Sequence, residues 1–222
     1  MRRSRSAIAQ AFGEMGRDFH ARGWVLGTSG NFSALISRQP LTLAVTASAV
    51  SKGAIGPDDI VVIDSSGRGA GKRDRRPSAE ALLHVAIARL RGAGAVLHTH
   101  SIWSTILSEL HAPQQGLTIA GYEMLKGLEG VKTHDHAEWV PILDNDQDMA
   151  RLAGRVEGTL RQFPAAHAFL LRRHGLYTWG DDLTQARRHV EILEFLLEAS
   201  GRMETSARAH AGGTYGTGEN SR

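Results

Sequence analysis

A short apolar run that ends on two histidines constrains the fold of this chain more than any other stretch. The run AVLHTH occupies residues 95–100, between the helix-breaking GAG and Ser101, which can cap the following segment IWSTILSEL as a helix. This pattern predicts a buried strand that leads into a helix. Because side chains two positions apart on a strand share a face, His98 and His100 lean toward one point, whereas Thr99 faces the opposite layer.

The rest of the chain mixes predicted helices and strands. Helical spacing of Ile8, Phe12, Met15 and Phe19 predicts a first helix that ends near residue 22. Strands are predicted at 41–46, 59–64, 139–143 and 168–175, the last continuing through LYTWG, and helices at 78–90, 146–162 and from 182 onward. The region 113–138 is rich in glycine and charge and gives no predicted element. This mixture predicts one α/β/α sandwich around a central mixed sheet.

Length and composition predict one soluble domain that handles a small molecule. The 222 residues suit one large domain, assigned here to 1–200, and the Gly-, Ser- and Thr-rich residues 201–222 are expected to form a mobile tail. No cysteine is present, so any metal must be held by nitrogen and oxygen, and a reducing cytoplasm is the expected compartment. No apolar run reaches the roughly 18 residues of a membrane helix.

A basic balance raises the question of nucleic acid. The formal net charge is +3, and the densest basic cluster is the short run KRDRRP at 72–77. Basic and acidic residues otherwise alternate, and no nucleic-acid motif accompanies them. The surplus is therefore expected to attract an anionic small molecule rather than DNA or RNA.

A third histidine makes a metal site plausible. His174 closes the apolar run AFLLRRH and precedes Gly175, where the chain can turn sharply. Two neighbouring strands that end on histidines can present three imidazoles to one ion and leave a coordination position open, as catalytic zinc requires. The pattern at His98 and His100 alone favours surface or hydrogen-bonded histidines over a metal site. His134 and His136, in a charged loop, are interpreted as solvated surface.

Five motifs then identify a family resemblance. They are GTSGNFS (27–33), RPSAEALLH (76–84), VLHTHS (96–101), YEMLKG (122–127) and RRHGLYTWG (172–180). In this order they resemble the class II aldolase/adducin superfamily, over about residues 6 to 200. HTHS with RHG is typical of the superfamily, while YEMLKG and the RHGLYTWG ending are similar to its methylthioribulose-1-phosphate dehydratase branch. The resemblance implies a class II aldolase-like fold with a largely antiparallel central sheet.

The resemblance also implies an activity. In this family His98, His100 and His174 would bind one divalent ion, usually Zn²⁺, and Glu123 would be the acid/base. The substrate would be 5-methylthioribulose 1-phosphate, dehydrated to 2,3-diketo-5-methylthiopentyl 1-phosphate in the methionine salvage pathway. The metal would act as a Lewis acid while a carboxylate takes the C3 proton and returns one to the departing C4 hydroxyl. Relatives assemble as tetramers with sites near subunit boundaries, so a homotetramer is expected.

Substrate-binding residues are likewise carried over from the resemblance. The residues expected to surround the phosphate are Gly30, Asn31, Ser48 and Ser78, with Lys52 adding positive charge. Ala49 stands where many relatives have glycine, and Ala79 where the aldolases often have serine. Turn and cap chemistry would explain several of these residues equally well.

Glu80 is the rival acid/base. It occupies the place of a glutamate that acts on the substrate in the sugar-phosphate aldolases of the superfamily. It can equally serve the first turn of its own helix, where a carboxylate suits the helix dipole.

Two other functions remain as alternatives. An aldolase or epimerase could use the same site, and an adducin-like head domain would be a non-catalytic binding module. Such a module has no need of three histidines together with Glu123, so the enzyme is favoured.

Overall fold

A computed structural model describes residues 5–69 and 75–212 of the chain. In this part of the chain the helices are α1 (Arg5–Ala21), α2 (Ala81–Arg91), α3 (Ile102–Leu110), α4 (Met149–Gln162) and α5 (Leu183–Gly212). The strands are β1 (Asn31–Arg38), β2 (Leu41–Thr46), β3 (Ile60–Ile63), β4 (Ala95–Thr99), β5 (Gly116–Ala120), β6 (Ala137–Leu143), β7 (Ala168–Leu171) and β8 (Gly175–Gly180). No helix among the described residues is long and apolar enough to cross a bilayer.

The strands form one mixed sheet in the order β3-β2-β1-β4-β8-β7-β6-β5. Neighbouring strands are antiparallel except β6 and β7, which are parallel. Alternate side chains of β4 enter different cores: Leu97 packs with α1 and α5, and Val96 with α2 and α4. The predicted α/β/α sandwich with a largely antiparallel sheet is confirmed.

The direction of the strands separates two ends of the sheet. β4 ends where β8 begins, since Thr99 pairs with Leu176, and β7 and β6 also end on this side. We call this side the histidine end, because His100 and His174 lie there. β5 runs antiparallel to β6, with Ala120 opposite Ala137, so β5 finishes at the opposite end.

The predicted position of His174 differs from the observed one. β7 and β8 are not one continuous run but an antiparallel hairpin, in which Leu171 pairs with Gly175. His174 therefore lies in the tight turn between them, next to Arg173, which has a positive φ of 55°. Gly175 is needed for close packing rather than for an unusual φ, because a Cβ there would lie 2.0 Å from the Thr99 carbonyl oxygen.

Two further boundaries differ from the sequence-based expectation. The region 113–138, for which the sequence predicts no element, contains the edge strand β5 and a 3₁₀ helix at Glu123–Gly127. The expected tail begins at 201, but α5 continues to Gly212. Gly201 does not end the helix; it makes room for Trp103 of α3, whose ring would lie 2.2 Å from an added Cβ. Residues 213–222 lie outside the described residues.

Candidate active site

Three imidazoles meet at the histidine end of the sheet. The Nε2 atom of His98 lies 2.8 Å from that of His100 and 3.3 Å from that of His174, and the last two are 3.1 Å apart. A tetrahedral metal with Zn–N bonds of about 2.0–2.1 Å holds its nitrogens about 3.3 Å apart. The three residues, called here the histidine trio, therefore fit one divalent ion after shifts of a few tenths of an ångström.

The trio is also in the right protonation state to bind a metal. Burial, reinforced by the neighbouring imidazoles, holds the pKa of His98 well below its usual range. Burial likewise lowers the pKa of His100 to about 4 and depresses the pKa of His174. His98 Nδ1 donates to the Leu176 carbonyl at 2.9 Å, which leaves its Nε2 lone pair directed at the other two rings. A neutral imidazole with one unprotonated ring nitrogen can bind a metal ion.

Glu80 lies beside the trio. Its Oε1 is 3.2 Å from His174 Nε2, and its Oε2 is 3.5 Å from His98 Nε2. Asn31 Nδ2 donates to this carboxylate at 2.6 Å and to Ser78 Oγ at 3.0 Å. Helix α2 begins at Ala81 rather than at residue 78, and the Glu80 side chain makes no cap on its first turn. The carboxylate faces the imidazoles instead of the helix terminus.

His84 supports the position of Asn31 through a buried hydrogen bond, and sequence reasoning missed this role. Its Nε2 donates to Asn31 Oδ1, and its Nδ1 lies 2.7 Å from Ser33 Oγ. Burial lowers the pKa of His84 to about 3, so the ring is neutral. A signal was available, because His84 follows Glu80 by four positions and therefore shares its side of α2.

A cleft of about 360 Å³ opens beside the trio and contains all the predicted substrate-binding residues. It is lined by Gly30, Asn31, Ser48, Lys52, Ser78 and Glu80 together with His100 and His174. Gly30 cannot be replaced without strain, since its φ is +71° and a Cβ would lie 2.7 Å from the His98 carbonyl oxygen. The lining also includes Thr28, Ser29, Asn145, Gln147 and Met149, which the sequence did not single out.

Lys52 gives the cleft a positive charge. Its side chain is buried, and Nζ donates to the carbonyl oxygens of Thr28 at 2.8 Å and Val50 at 2.7 Å. An ammonium has three N–H donors, so one remains for a ligand. Burial lowers the pKa of Lys52 to about 8 against the opposing charges of Glu80 and Asp59, which leaves the group charged at neutral pH. The cleft therefore suits an anionic group such as a phosphate.

Glu123 and the trio of the same chain lie at opposite ends of the sheet. It begins the 3₁₀ helix after β5, is 72% exposed, and bonds Lys126 at 2.5 Å, which lowers its pKa. β5 lies three strand spacings beyond β8, about 14 Å at the usual spacing, and Glu123 follows the end of β5 remote from the histidines. Within one chain, Glu123 therefore lies away from the trio.

Solved structures of class II aldolases share the three-layer architecture of this chain. The L-fuculose-1-phosphate aldolase of Thermus thermophilus superposes with a TM-score of 0.72, at 25% identity over 92% of this chain and 98% of that one. A sugar-phosphate aldolase of Thermotoga maritima superposes with a TM-score of 0.65, at 16% identity over 89% of this chain and 96% of that one. The fold is that of the class II aldolases.

Sequence comparison then gives the family. The profile described as "Class II Aldolase and Adducin N-terminal domain" matches residues 10–200, and the chain belongs to this family. A methylthioribulose-1-phosphate dehydratase of Sorangium cellulosum (strain So ce56) is 42% identical over 88% of this chain and 92% of its own length. One of Pseudomonas aeruginosa (strain LESB58) is 41% identical over 94% of this chain and 100% of its own length.

Proposed function

We propose that this chain is a zinc-dependent hydro-lyase that dehydrates 5-methylthioribulose 1-phosphate to 2,3-diketo-5-methylthiopentyl 1-phosphate, a step of methionine salvage in the cytoplasm. One observation carries the proposal: a neutral histidine trio and a cleft with a buried ammonium adjoin each other, where a ketose phosphate needs both. The dehydratase names of relatives at about 42% identity support this reaction over others of the class.

The trio would hold one Zn²⁺ per subunit through the three Nε2 atoms. Bound there, the ion supplies Lewis-acid stabilisation of negative charge on the substrate oxygens. Lys52, Ser48 and the backbone around Gly30 bind the phosphate, because an ammonium, a hydroxyl and close N–H groups all favour an oxyanion. The phosphate thereby fixes C2 and C3 of the sugar toward the imidazoles.

The reaction itself needs a carboxylate that moves protons. The base takes the proton from C3, the C3–C4 double bond forms, and the C4 hydroxyl leaves as water after receiving a proton. The resulting enol becomes the diketone by proton transfer to C4. All carbons of the substrate stay in one product.

We assign this carboxylate to Glu123 of a second copy of the chain. Glu123 lies at the end of the sheet opposite its own trio, so it can serve only the site of a neighbouring subunit. Helix α3 carries an exposed apolar stripe formed by Ile102, Ile106 and Leu110, and this stripe begins two residues after His100. The stripe is evidence that a neighbouring subunit packs close to the trio. A homotetramer with sites at the subunit boundaries meets this requirement.

Glu80 is the second candidate for the acid/base, favoured by its contacts with His98 and His174. In the dehydratase as proposed, Glu80 holds the imidazoles of the trio in position and orients the substrate. The two assignments differ in what they demand of the oligomer, because Glu80 acts within its own chain and Glu123 does not.

Product analysis tests the reaction. The purified, zinc-loaded protein is incubated with 5-methylthioribulose 1-phosphate, and the products are followed by NMR. A diketone that retains every carbon is expected. Cleavage into two carbon fragments would instead identify an aldolase, and an unchanged substrate would remove the dehydratase.

Subunit complementation tests the position of Glu123. Glu123→Gln and His174→Gln proteins, each inactive alone, are mixed, dissociated and reassembled. Mixed oligomers contain some sites with an intact trio from one chain and Glu123 from the other, so partial activity is expected. If no mixture regains activity while Glu80→Gln protein is inactive with its zinc retained, Glu80 is the acid/base.

A further inference from the structure

A second group of metal-type side chains lies at the end of the sheet opposite the trio. His136, Glu138 and His167 each direct one ligand atom into a common space, and these atoms all lie within 4.8 Å of one another. The interpretation of His136 as solvated surface is therefore wrong. His134, the other member of that pair, is 58% exposed and lies outside the group. We call His136, Glu138 and His167 the His–Glu–His cluster.

The cluster is built around one buried carboxylate. Glu138, near the start of β6, is only 1% exposed, and its Oε2 lies 2.8 Å from His136 Nε2 and 3.0 Å from His167 Nδ1. Its other oxygen, Oε1, accepts the backbone N–H of His167 at 2.9 Å. One carboxylate oxygen therefore fixes the group to the chain, and the other is shared between the two rings. Two imidazoles and a carboxylate form a donor set that holds catalytic zinc in other proteins.

The orientation of His167 is an independent sign of a ligand. Its Nε2 is 2.8 Å from the Glu129 carbonyl oxygen and donates to it, so Nδ1 is the nitrogen turned toward Glu138. A metal-binding histidine usually donates its second N–H to a carbonyl or a carboxylate, which fixes the ring. His98 in the trio shows the same arrangement, with Nδ1 on the Leu176 carbonyl. The two clusters thus share the outer hydrogen bond as well as the ligand type.

Access to the cluster is open on one side. His136 and His167 line a cavity of about 720 Å³ that also includes Val131, Lys132 and Trp179. Because two of the three donor residues line this cavity, an ion held by the cluster would be reachable from it by water or a small ligand.

We propose that His136, Glu138 and His167 bind a divalent transition-metal ion of the zinc type, at a site separate from the trio. Tetrahedral coordination requires ligand atoms about 3.3 Å from one another. To reach this spacing, the two N···O distances lengthen by a few tenths of an ångström and the two imidazole rings move closer together. The ion would link His136, which precedes β6, to His167, which precedes β7. The proposal does not depend on the activity assigned to the trio.

Zinc stoichiometry tests the proposal. The protein is freed of metal with a chelator and loaded with Zn²⁺. It is then passed through a buffer whose weak zinc ligand removes loosely bound ions, and the zinc bound per chain is measured by mass spectrometry. Two ions are expected for the wild type, one for His136→Gln, one for His174→Gln and none for the double variant. His134→Gln is the matched control and should retain two ions.

Each outcome separates the two sites. If His136→Gln protein holds as much zinc as the wild type, or if the wild type holds one ion that only His174→Gln removes, the second site does not exist. If His174→Gln removes no zinc while His136→Gln removes one ion, the second site stands and the metal of the proposed function fails.

A further variant guards against misfolding. His136→Asp keeps a metal ligand at the position, so it should recover zinc that His136→Gln has lost. Co²⁺ bound to His174→Gln protein should also give a visible absorption spectrum that disappears in the double variant. Failure of both the rescue and the spectrum would overturn the site even if His136→Gln were unstable.

Discussion

The two ends of the sheet carry similar groups that behave in opposite ways. At the histidine end, the carboxyl of Glu194 on α5 is buried and bonded by the hydroxyl of Thr99, and burial raises its pKa to about 7. At the opposite end, Glu138 is equally buried. Burial alone would raise its pKa, but hydrogen bonds from His167 and His136 hold that pKa below the usual value.

The imidazoles differ in the same sense. Burial lowers the pKa of His98 and its neighbours, whereas the hydrogen bond to Glu138 outweighs burial and raises the pKa of His167. Burial is common to both ends, so the difference comes from the partner. The hydrogen bond to Glu138 keeps the proton on His167, whereas at His174 burial outweighs the charge of nearby Glu80 and lowers the pKa. The trio is thereby ready for a metal at neutral pH, while in the His–Glu–His cluster a metal must compete with a proton.

Removal of one buried carboxylate should have the largest effect on stability. Glu138→Gln leaves two imidazoles without their charged partner, and removing one member of a buried pair costs about 3–5 kcal/mol. We expect this loss in the free energy of unfolding, measured by urea denaturation of metal-free protein at pH 7. The same change at Glu194, which is bonded by hydroxyls rather than by imidazoles, should cost much less. Equal losses would contradict the comparison.

Loss of one ligand from the trio should have the largest effect on activity. His174→Gln removes a nitrogen that the proposed ion needs, and kcat/KM should fall by at least about 100-fold, the upper end for loss of a supporting partner. His111→Gln is the control, because His111 pairs with Glu204 of α5 at 2.8 Å and is not among the residues that line the cleft. Similar kcat/KM values for the two variants would contradict a catalytic role of the trio.

The pH dependence of stability should reveal Glu194. Its pKa is raised in the folded state to about 7 from the ordinary value of 4.5, so the folded protein binds this proton more tightly than the unfolded chain does. Its contribution is complete below about pH 4.5 and is lost as the pH rises through 7, by up to about 3 kcal/mol. Glu194→Gln should remove this slope in denaturation curves between pH 4.5 and 8. An unchanged slope would show that Glu194 is charged in the folded protein.

A smaller effect is expected at His84. His84→Leu leaves Asn31 without its donor and loosens Glu80, so kcat should fall by about 10-fold while zinc content and KM change little. His84→Gln retains an N–H donor and should lose less. A change in KM alone, with kcat intact, would mean that His84 supports the cleft rather than the position of Glu80.

Local pattern was sufficient for much of the site. His98 and His100 share a face because side chains alternate along any strand, and their Nε2 atoms indeed lie 2.8 Å apart. The three-layer fold follows from apolar periodicity, and the family motifs point to Gly30, Asn31 and Ser78, which line one cleft. These features depend on residues close in sequence or on motifs quoted as units, so the chain itself determines them.

The tertiary structure decided the rest. Which end of the sheet a loop occupies depends on the order and direction of every strand between, and no local pattern records that. For this reason Glu123 lies at the end opposite its own trio, and His136, expected in solvent, packs against Glu138 and near His167, which precedes β7. The sequence determined which chemical groups are present, and strand order determined which of them meet.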